Sequence, residues 1–192
     1  MVKKLYIIAG CNGAGKTTAS FNILPEMLNC QEFVNADEIA RGISPFHPEK
    51  VAIEAGRIML NRIDELITEG SDFAFETTLA TKSFRHTISK AKKQGYAVTL
   101  LFFWLNSIDL AKDRVKQRVI EGGHFVDEKT ISRRFKNGIR NLLEIYVPIC
   151  DITLIYDNSQ PLPQLIAYKE LNSNFVVKLE EQFQNIHNLN YE

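Results

Sequence analysis

The sequence predicts an α/β protein built on a parallel five-stranded sheet flanked by helices, with a β-hairpin at its C-terminal end. Two observations predict it. Short apolar runs bounded by polar or glycine residues recur along the chain, as strands buried on both faces require. Helix-period segments separate them, and strand–helix alternation means parallel pairing.

The elements follow in order. LYIIA (5–9) is the first strand and TTASFNIL begins a helix. EFVNA (32–36), DFAFE (72–76), YAVTLLFFWL (96–105) and DITLIYD (151–157) are the next four strands. VAIEAGRIMLNRIDELITEG has apolar residues at 51, 53, 58, 59, 63, 66 and 67 and stops at Gly70, as a helix does. SFRHTISKAKKQG stops likewise at Gly95. After Pro161, LIAYKE and FVVKLEE flank the turn-prone LNSN, which predicts the hairpin. The expected organisation is a core over 1–160 with a helical lid at about 109–141, then a hairpin and tail over 161–192 packed on that core.

Bulk properties are those of one globular domain. The chain has 192 residues, 45% apolar and 24% charged, with Lys plus Arg equal to Asp plus Glu at 23 each. That balance speaks against a nucleic-acid or anionic-membrane partner. Cys11, Cys30 and Cys150 have no metal-ligand spacing, and their odd number suits a reducing compartment. Cys11 lies in a glycine-rich loop, either as a small residue that fits or as a target for oxidation. The opening MVKKLYIIAG is too short in its apolar part for a signal peptide, and no later run spans a bilayer. A cytoplasmic location is expected.

The strongest motif is AGCNGAGKTTAS at 9–20, directly after the first strand. Gly10 and Gly15-Lys16-Thr17 have the spacing G-x-x-x-x-G-K-[ST], the phosphate loop of P-loop NTPases. Gly10, Gly13 and Gly15 allow the backbone to curl its N–H groups around anionic oxygens, with Asn12, Ala14 and Thr18 in the same wall. Lys16 supplies a cation near the β- and γ-phosphates, and Thr17 a hydroxyl for Mg²⁺. The following helix adds its positive N-terminal end. ATP and Mg²⁺ are the cofactors implied.

Ligands of parallel sheets bind at the strand C-termini. In VNADEIAR, Asn35 can cap a helix with Glu38 completing a capping box. Asp37 is then either a first-turn acid that stabilises the helix dipole or a base that takes a proton from an attacking hydroxyl. In FAFETTLA, Glu76 follows an apolar run, where an idle carboxylate is costly. It either organises Mg²⁺ through water or binds a substrate hydroxyl, while Thr77 and Thr78 read as helix caps. Arg114 and Arg118 share a helix face, Gly122-Gly123 breaks that helix, and Arg133, Arg134 and Arg140 lie on the next. This describes a lid whose guanidinium groups could pair with phosphate. His124 reads as structural. Asn158, in YDNS, falls where P-loop kinases pack adenine, by analogy of fold.

GCNGAGKTT, VNADEIA, FETTLA, RVIEGGHFV and YDNS, in this order, resemble the zeta-toxin-like P-loop kinases over about residues 4 to 160. The nearest resemblance is to their stand-alone bacterial branch, described as predicted ATPase or UDP-N-acetylglucosamine kinase. The resemblance implies Mg²⁺-dependent phosphorylation of a sugar hydroxyl on a nucleotide-sugar such as UDP-N-acetylglucosamine, with Asp37 as general base. It implies Glu76 and Thr77 near the substrate, Arg118 on the phosphates, Arg133 or Arg134 as a second lid cation, and an antitoxin as a possible partner. The sequence departs from the toxins at Ala80, where they carry an arginine, and at Leu60, where they carry an acid. His124 stands in the place of a lid arginine. The alternative function is a P-loop ATPase acting as a nucleotide-gated interaction module, although no LSGGQ-type segment is present.

Overall fold

A computed structural model describes residues 2–26, 28–123 and 125–189. Strand β1 (Lys3–Ala9) is central, and from Leu5 onward every residue is buried. It pairs in parallel with β3 (Phe73–Thr77) on one side and β4 (Tyr96–Trp104) on the other. Outside these lie β2 (Glu32–Val34), parallel to β3, and β5 (Ile152–Asp157), parallel to β4. The five expected strands are therefore present and parallel.

The sheet itself has seven strands rather than five, in the order β2-β3-β1-β4-β5-β6-β7. The expected hairpin, β6 (Gln164–Glu170) and β7 (Val176–Val177), does not stand apart. It extends the sheet, with β6 antiparallel to β5 and β7 antiparallel to β6. Strand β5 would otherwise offer a bare edge, and pairing covers it. The segment FVVKLEE is only briefly a strand. After Val177 the amides of Lys178 and Leu179 both donate to Ile166 O, and the chain turns into a helix over Glu180–Asn188.

Helix α1 (Lys16–Glu26) follows β1 directly, and α2 (Ala36–Ile43) follows β2. Helix α3 (Ala52–Glu69) buries Ala55, Met59, Ile63, Leu66 and Ile67, and ends at Gly70 with φ 76°. Its apolar residues do not form one stripe: Ile53 and Ile58 stand in solvent. Helix α4 (Phe84–Lys93) links β3 to β4. The expected lid segment forms α5 (Ile108–Ile120) and α6 (Glu128–Asn141), bridged by Lys112 and Lys116 to Glu128 at 3.5 and 3.2 Å. Helix α6 buries Ile131, Phe135 and Ile139 in the core and runs through a π turn (Leu142–Tyr146) into the short α7 (Val147–Ile149). The C-terminal helix α8 (Glu180–Asn188) packs Phe183 and Ile186 back against the sheet end. His124 lies outside the described residues.

Since β2 and β4 lie on opposite sides of β1 and β3, the chain reverses direction of winding at β1. A crevice opens there at the strand C-termini, and the phosphate loop occupies it.

Candidate active site

The loop at 10–15 is set by sheet packing beneath it. Gly10 has φ 144°, and a Cβ there would stand 2.3 Å from Phe103 O of β4, so no other residue fits without moving the strand. Gly15 has φ 77°, and a Cβ would meet Asn158 Nδ2 at 2.5 Å. Asn158 uses that approach to donate to Ala14 O at 2.7 Å. It thus ties the end of β5 to the loop.

A third element joins them. Arg114 of α5 donates from Nη1 to Asn158 O at 2.8 Å and from Nη2 to Ser159 O at 3.0 Å. The fork pins the 158–159 backbone while Asn158 pins the loop, a chain from α5 to the phosphate cradle. Sequence spacing paired Arg114 with Arg118 but gave no reason to single it out. Arg114→Lys is expected to weaken ATP binding about tenfold with little change in kcat, because an ammonium cannot hold two carbonyls in one plane. Isothermal titration against ATP, beside steady-state kinetics, checks this.

Lys16 is 7% exposed and points across the cradle. Its Nζ donates to Cys11 O at 3.0 Å and sits 3.4 Å from Glu76 Oε1. The other carboxylate oxygen, Oε2, accepts from Thr17 Oγ1 at 2.8 Å and from Asn35 Nδ2 at 3.0 Å. Glu76 therefore draws together the loop lysine, the Thr17 hydroxyl and the cap of α2. Asn35 works twice, because its Oδ1 accepts from the amides of Asp37 at 2.8 Å and Glu38 at 3.4 Å. The reciprocal half of the capping box does not form, since Glu38 turns to Arg41 at 3.2 Å.

The threonines after Glu76 are not helix caps. Thr77 Oγ1 accepts from Leu79 N at 3.1 Å and Thr78 Oγ1 from Ala80 N at 3.5 Å, closing a turn, and α4 starts only at Phe84, after Ser83. Leu79 takes φ 54° although fully buried, a conformation that costs about 1–3 kcal/mol. Asn141 Nδ2, donating to Leu79 O at 2.7 Å, holds it there.

Asp37, Lys16, Asn12, Asn35, Glu76 and Arg134 line one open cavity of about 440 Å³, with Thr77 and Thr78 beside them. Asp37 is solvent-exposed and is one of the residues lining this cavity. Arg134 comes from α6, is half-buried, and donates from Nη1 to Asn12 Oδ1 at 3.0 Å. Burial lowers its pKa, and the neighbouring Asp37 carboxylate opposes that shift. Arg133 and Arg140 are exposed. Arg118, half-buried on the last turn of α5, is not among the described residues lining the cavity; its carbonyl accepts from Gly123 N at 2.7 Å. Thr18 is exposed at the start of α1. Larger grooves of about 720 and 840 Å³ lie elsewhere, but neither includes Lys16 or Asp37.

Mg²⁺ takes hard oxygen ligands and keeps several waters beside substrate phosphates, so it needs few protein groups. The Thr17 hydroxyl and Glu76 carboxylate, 2.8 Å apart, fit that demand. No cluster of three His, Cys, Asp or Glu suited to a metal occurs among the described residues. No described helix is long and apolar enough to cross a membrane.

Cys11 is buried beneath the loop, and burial pushes its thiol up to about 11. The thiolate is the reactive form, so at pH 8 Cys11 is almost wholly the unreactive thiol. Iodoacetamide should leave Cys11 unmodified at pH 8, with labelling rising only as the pH nears 11 or the chain unfolds. Mass spectrometry of the loop peptide reads this.

The Zeta toxin family model matches residues 2–161. An uncharacterized protein of Haemophilus influenzae is 32% identical over 136 residues, 70% of this chain and 94% of that protein. Among solved structures, the AvrRxo1-ORF1:AvrRxo1-ORF2 complex matches with TM-scores of 0.78 with sulphate ions and 0.76 with ATP. Each match is 16% identical and covers 96% of this chain but 63% of that one, so this chain spans less than two thirds of its length. A structure of the PezAT chromosomal toxin-antitoxin system of Streptococcus pneumoniae matches at TM-score 0.62 and 16% identity, over 97% of this chain and 86% of that one. These structures share the fold, while the family match spans the phosphate loop, both acids and helices α5 and α6: the chain belongs to the zeta toxin family.

Proposed function

We propose that the protein is a kinase that moves the γ-phosphate of ATP to the hydroxyl of a small molecule. The observation that carries this reading is the shared cavity lined by Asp37 together with Asn12 and Lys16 of the phosphate loop, Glu76 and Arg134. Loop amides and Lys16 would hold the triphosphate. Thr17 and Glu76 would hold Mg²⁺, which would neutralise phosphate charge there. Asp37 would take the acceptor's proton as its oxygen attacks phosphorus and the bond to the β-phosphate oxygen breaks, releasing ADP. Arg134 would offset the charge that spreads over the moving group, with Arg118 able to join it when α5 meets the phosphates.

Family membership supports ATP as donor, and the fold is shared with a complex whose structure contains ATP. It also supports a nucleotide-sugar such as UDP-N-acetylglucosamine as one acceptor class to test. The same fold occurs in toxin–antitoxin assemblies, which supports a protein antitoxin as partner. The test is incubation with labelled ATP and a panel of small alcohols, including nucleotide-sugars, beside Lys16→Ala. A phosphorylated small molecule, absent with the variant, is the expected result. ATP hydrolysis without any phosphorylated acceptor, tied instead to partner binding, would favour a nucleotide-gated module.

A further inference from the structure

Resting on the kinase reading, we infer that the acceptor is an alcohol with an apolar body and an anionic substituent, held on one face of α3. That face is Ile53, Gly56, Arg57 and Leu60. Their spacing is that of a single helical stripe, and all four line the cavity that contains Asp37 and Lys16. The stripe is distinct from the core-facing one formed by Ala55, Met59, Ile63, Leu66 and Ile67.

Three features mark it as a ligand wall. Ile53 is 76% exposed and Leu60 46%, so neither contributes much to folding, yet both would lose water against an apolar ligand. Single exposed apolar residues are ordinary; these two share a cavity wall with a glycine between them. Gly56 sits inside an 18-residue helix with an ordinary helical backbone, and a Cβ there would meet nothing within 4 Å. Neither conformation nor packing calls for glycine, and glycine weakens a helix. What its missing side chain does is notch the wall between Ile53 and Leu60, toward Met59, which also lines the cavity. Arg57, next to the notch, is exposed and makes no ion pair with a described residue.

The cavity is thereby divided. Its loop end carries Asn12, Glu76, Thr77 and Thr78, groups that can meet a hydroxyl. Its α3 end offers hydrocarbon and one cation. A nucleobase lying on that stripe would meet Ile53 and Leu60 with Arg57 as the one polar side chain the stripe supplies, so its amide groups would depend on Thr81 or Ser83 elsewhere on the lining, and any left unpaired would be costly. An apolar body with an acidic group matches both features.

Anilinonaphthalene sulfonate, an aromatic body with an anion, is a direct probe. In saturating ATP its fluorescence titration should show one saturable site on the intact protein. Ile53→Gln combined with Leu60→Gln should weaken that site at least about tenfold, and Arg57→Gln about threefold to tenfold. Gly56→Ala should raise Tm by about 2–4 °C while weakening dye binding, a split that a purely structural glycine would not give. Paired hydroxy acids with and without a phenyl ring should then differ in kcat/KM by about 10- to 100-fold as acceptors, the preference vanishing in the double variant. Dye binding indifferent to all of these substitutions overturns the proposal, as does turnover of UDP-N-acetylglucosamine with a kcat/KM that they leave unchanged. Dye binding that is lost in the variants, with no alcohol phosphorylated by the intact protein, overturns the kinase reading and the acceptor role, and supports only the ligand site on α3.

Discussion

Asp37→Asn is expected to lower kcat for phosphoryl transfer by about 10²- to 10⁴-fold while leaving ATP binding within about twofold. The substitution keeps the shape of the side chain and removes its basicity. It does not disturb the start of α2, because the cap is Asn35, whose Oδ1 accepts from the backbone amides of residues 37 and 38. Loss of rate would therefore report chemistry at the carboxylate. The competing role for a first-turn acid is stabilisation of the helix dipole, worth about 0.3–1 kcal/mol. That role predicts a small fall in Tm and an unchanged kcat. Asp37 lines the cavity with Lys16 and lies close enough to Arg134 to oppose its pKa shift, so an acceptor hydroxyl between them would meet base and cation together. Rapid-quench measurement of product formation, beside titration of ATP binding, separates the two outcomes. A rate within threefold of the unaltered protein would remove Asp37 from the chemistry.

The parts of the fold that could be read from sequence were those under strong local constraint. Strands β1, β3 and β4 are buried on both faces over most of their length, so their residues are almost continuously apolar and visible as runs; β5 buries one face and half-covers the other, and its run ITLIY is visible all the same. The phosphate loop was legible because its glycines answer to conformation and close approach, at Gly10 against Phe103 and at Gly15 against Asn158. Less legible was what depends on tertiary partners. The residues FVV read as a strand, and the first two residues of α8, Glu180 and Glu181, read as its continuation. Only the spacing of Phe183 and Ile186, which pack against the sheet, marks the helix. The hairpin's position as a sheet extension is a property of the β5 edge, which no local pattern in residues 164–177 reveals.

The same division runs through the site. Lys16, Thr17, Asp37 and Glu76 are at motif positions or strand ends, and the structure gathers them around one cavity or one carboxylate. Arg134 was one of several arginines on a predicted helix. Its selection over Arg133 and Arg140 follows from the packing of α6, which buries Phe135 and Ile139 and turns position 134 to Asn12. Asn35 and Arg114 were seen as a cap and as a lid residue. Their second bonds, to Glu76 and to the 158–159 carbonyls, cross 41 and 44 residues of chain, and such pairings have no signature in local sequence.

Glu76→Gln is expected to uncouple nucleotide binding from Mg²⁺. In the protein, the carboxylate holds Lys16 at 3.4 Å and Thr17 at 2.8 Å, with its own side chain only 9% exposed. A triphosphate must share Lys16 with this carboxylate, and two anions about 4 Å apart repel by several kcal/mol at an effective dielectric of about 20. A divalent cation between them turns that repulsion into attraction, so Mg²⁺ should tighten ATP binding to the unaltered protein by about tenfold or more. The amide of glutamine keeps the contacts to Thr17 and Asn35 and removes the charge. Without Mg²⁺, the variant should bind ATP more tightly than the parent; with Mg²⁺, it should gain little further. Trp104, the chain's single tryptophan, shares a small void under the loop with Cys11, and its fluorescence offers the readout. Titrations of ATP against both proteins, with Mg²⁺ and with a chelator, complete a four-way comparison. Equal Mg²⁺ dependence in the two would mean that Glu76 serves the acceptor hydroxyl instead of the metal, and kcat/KM for the acceptor would then carry the loss.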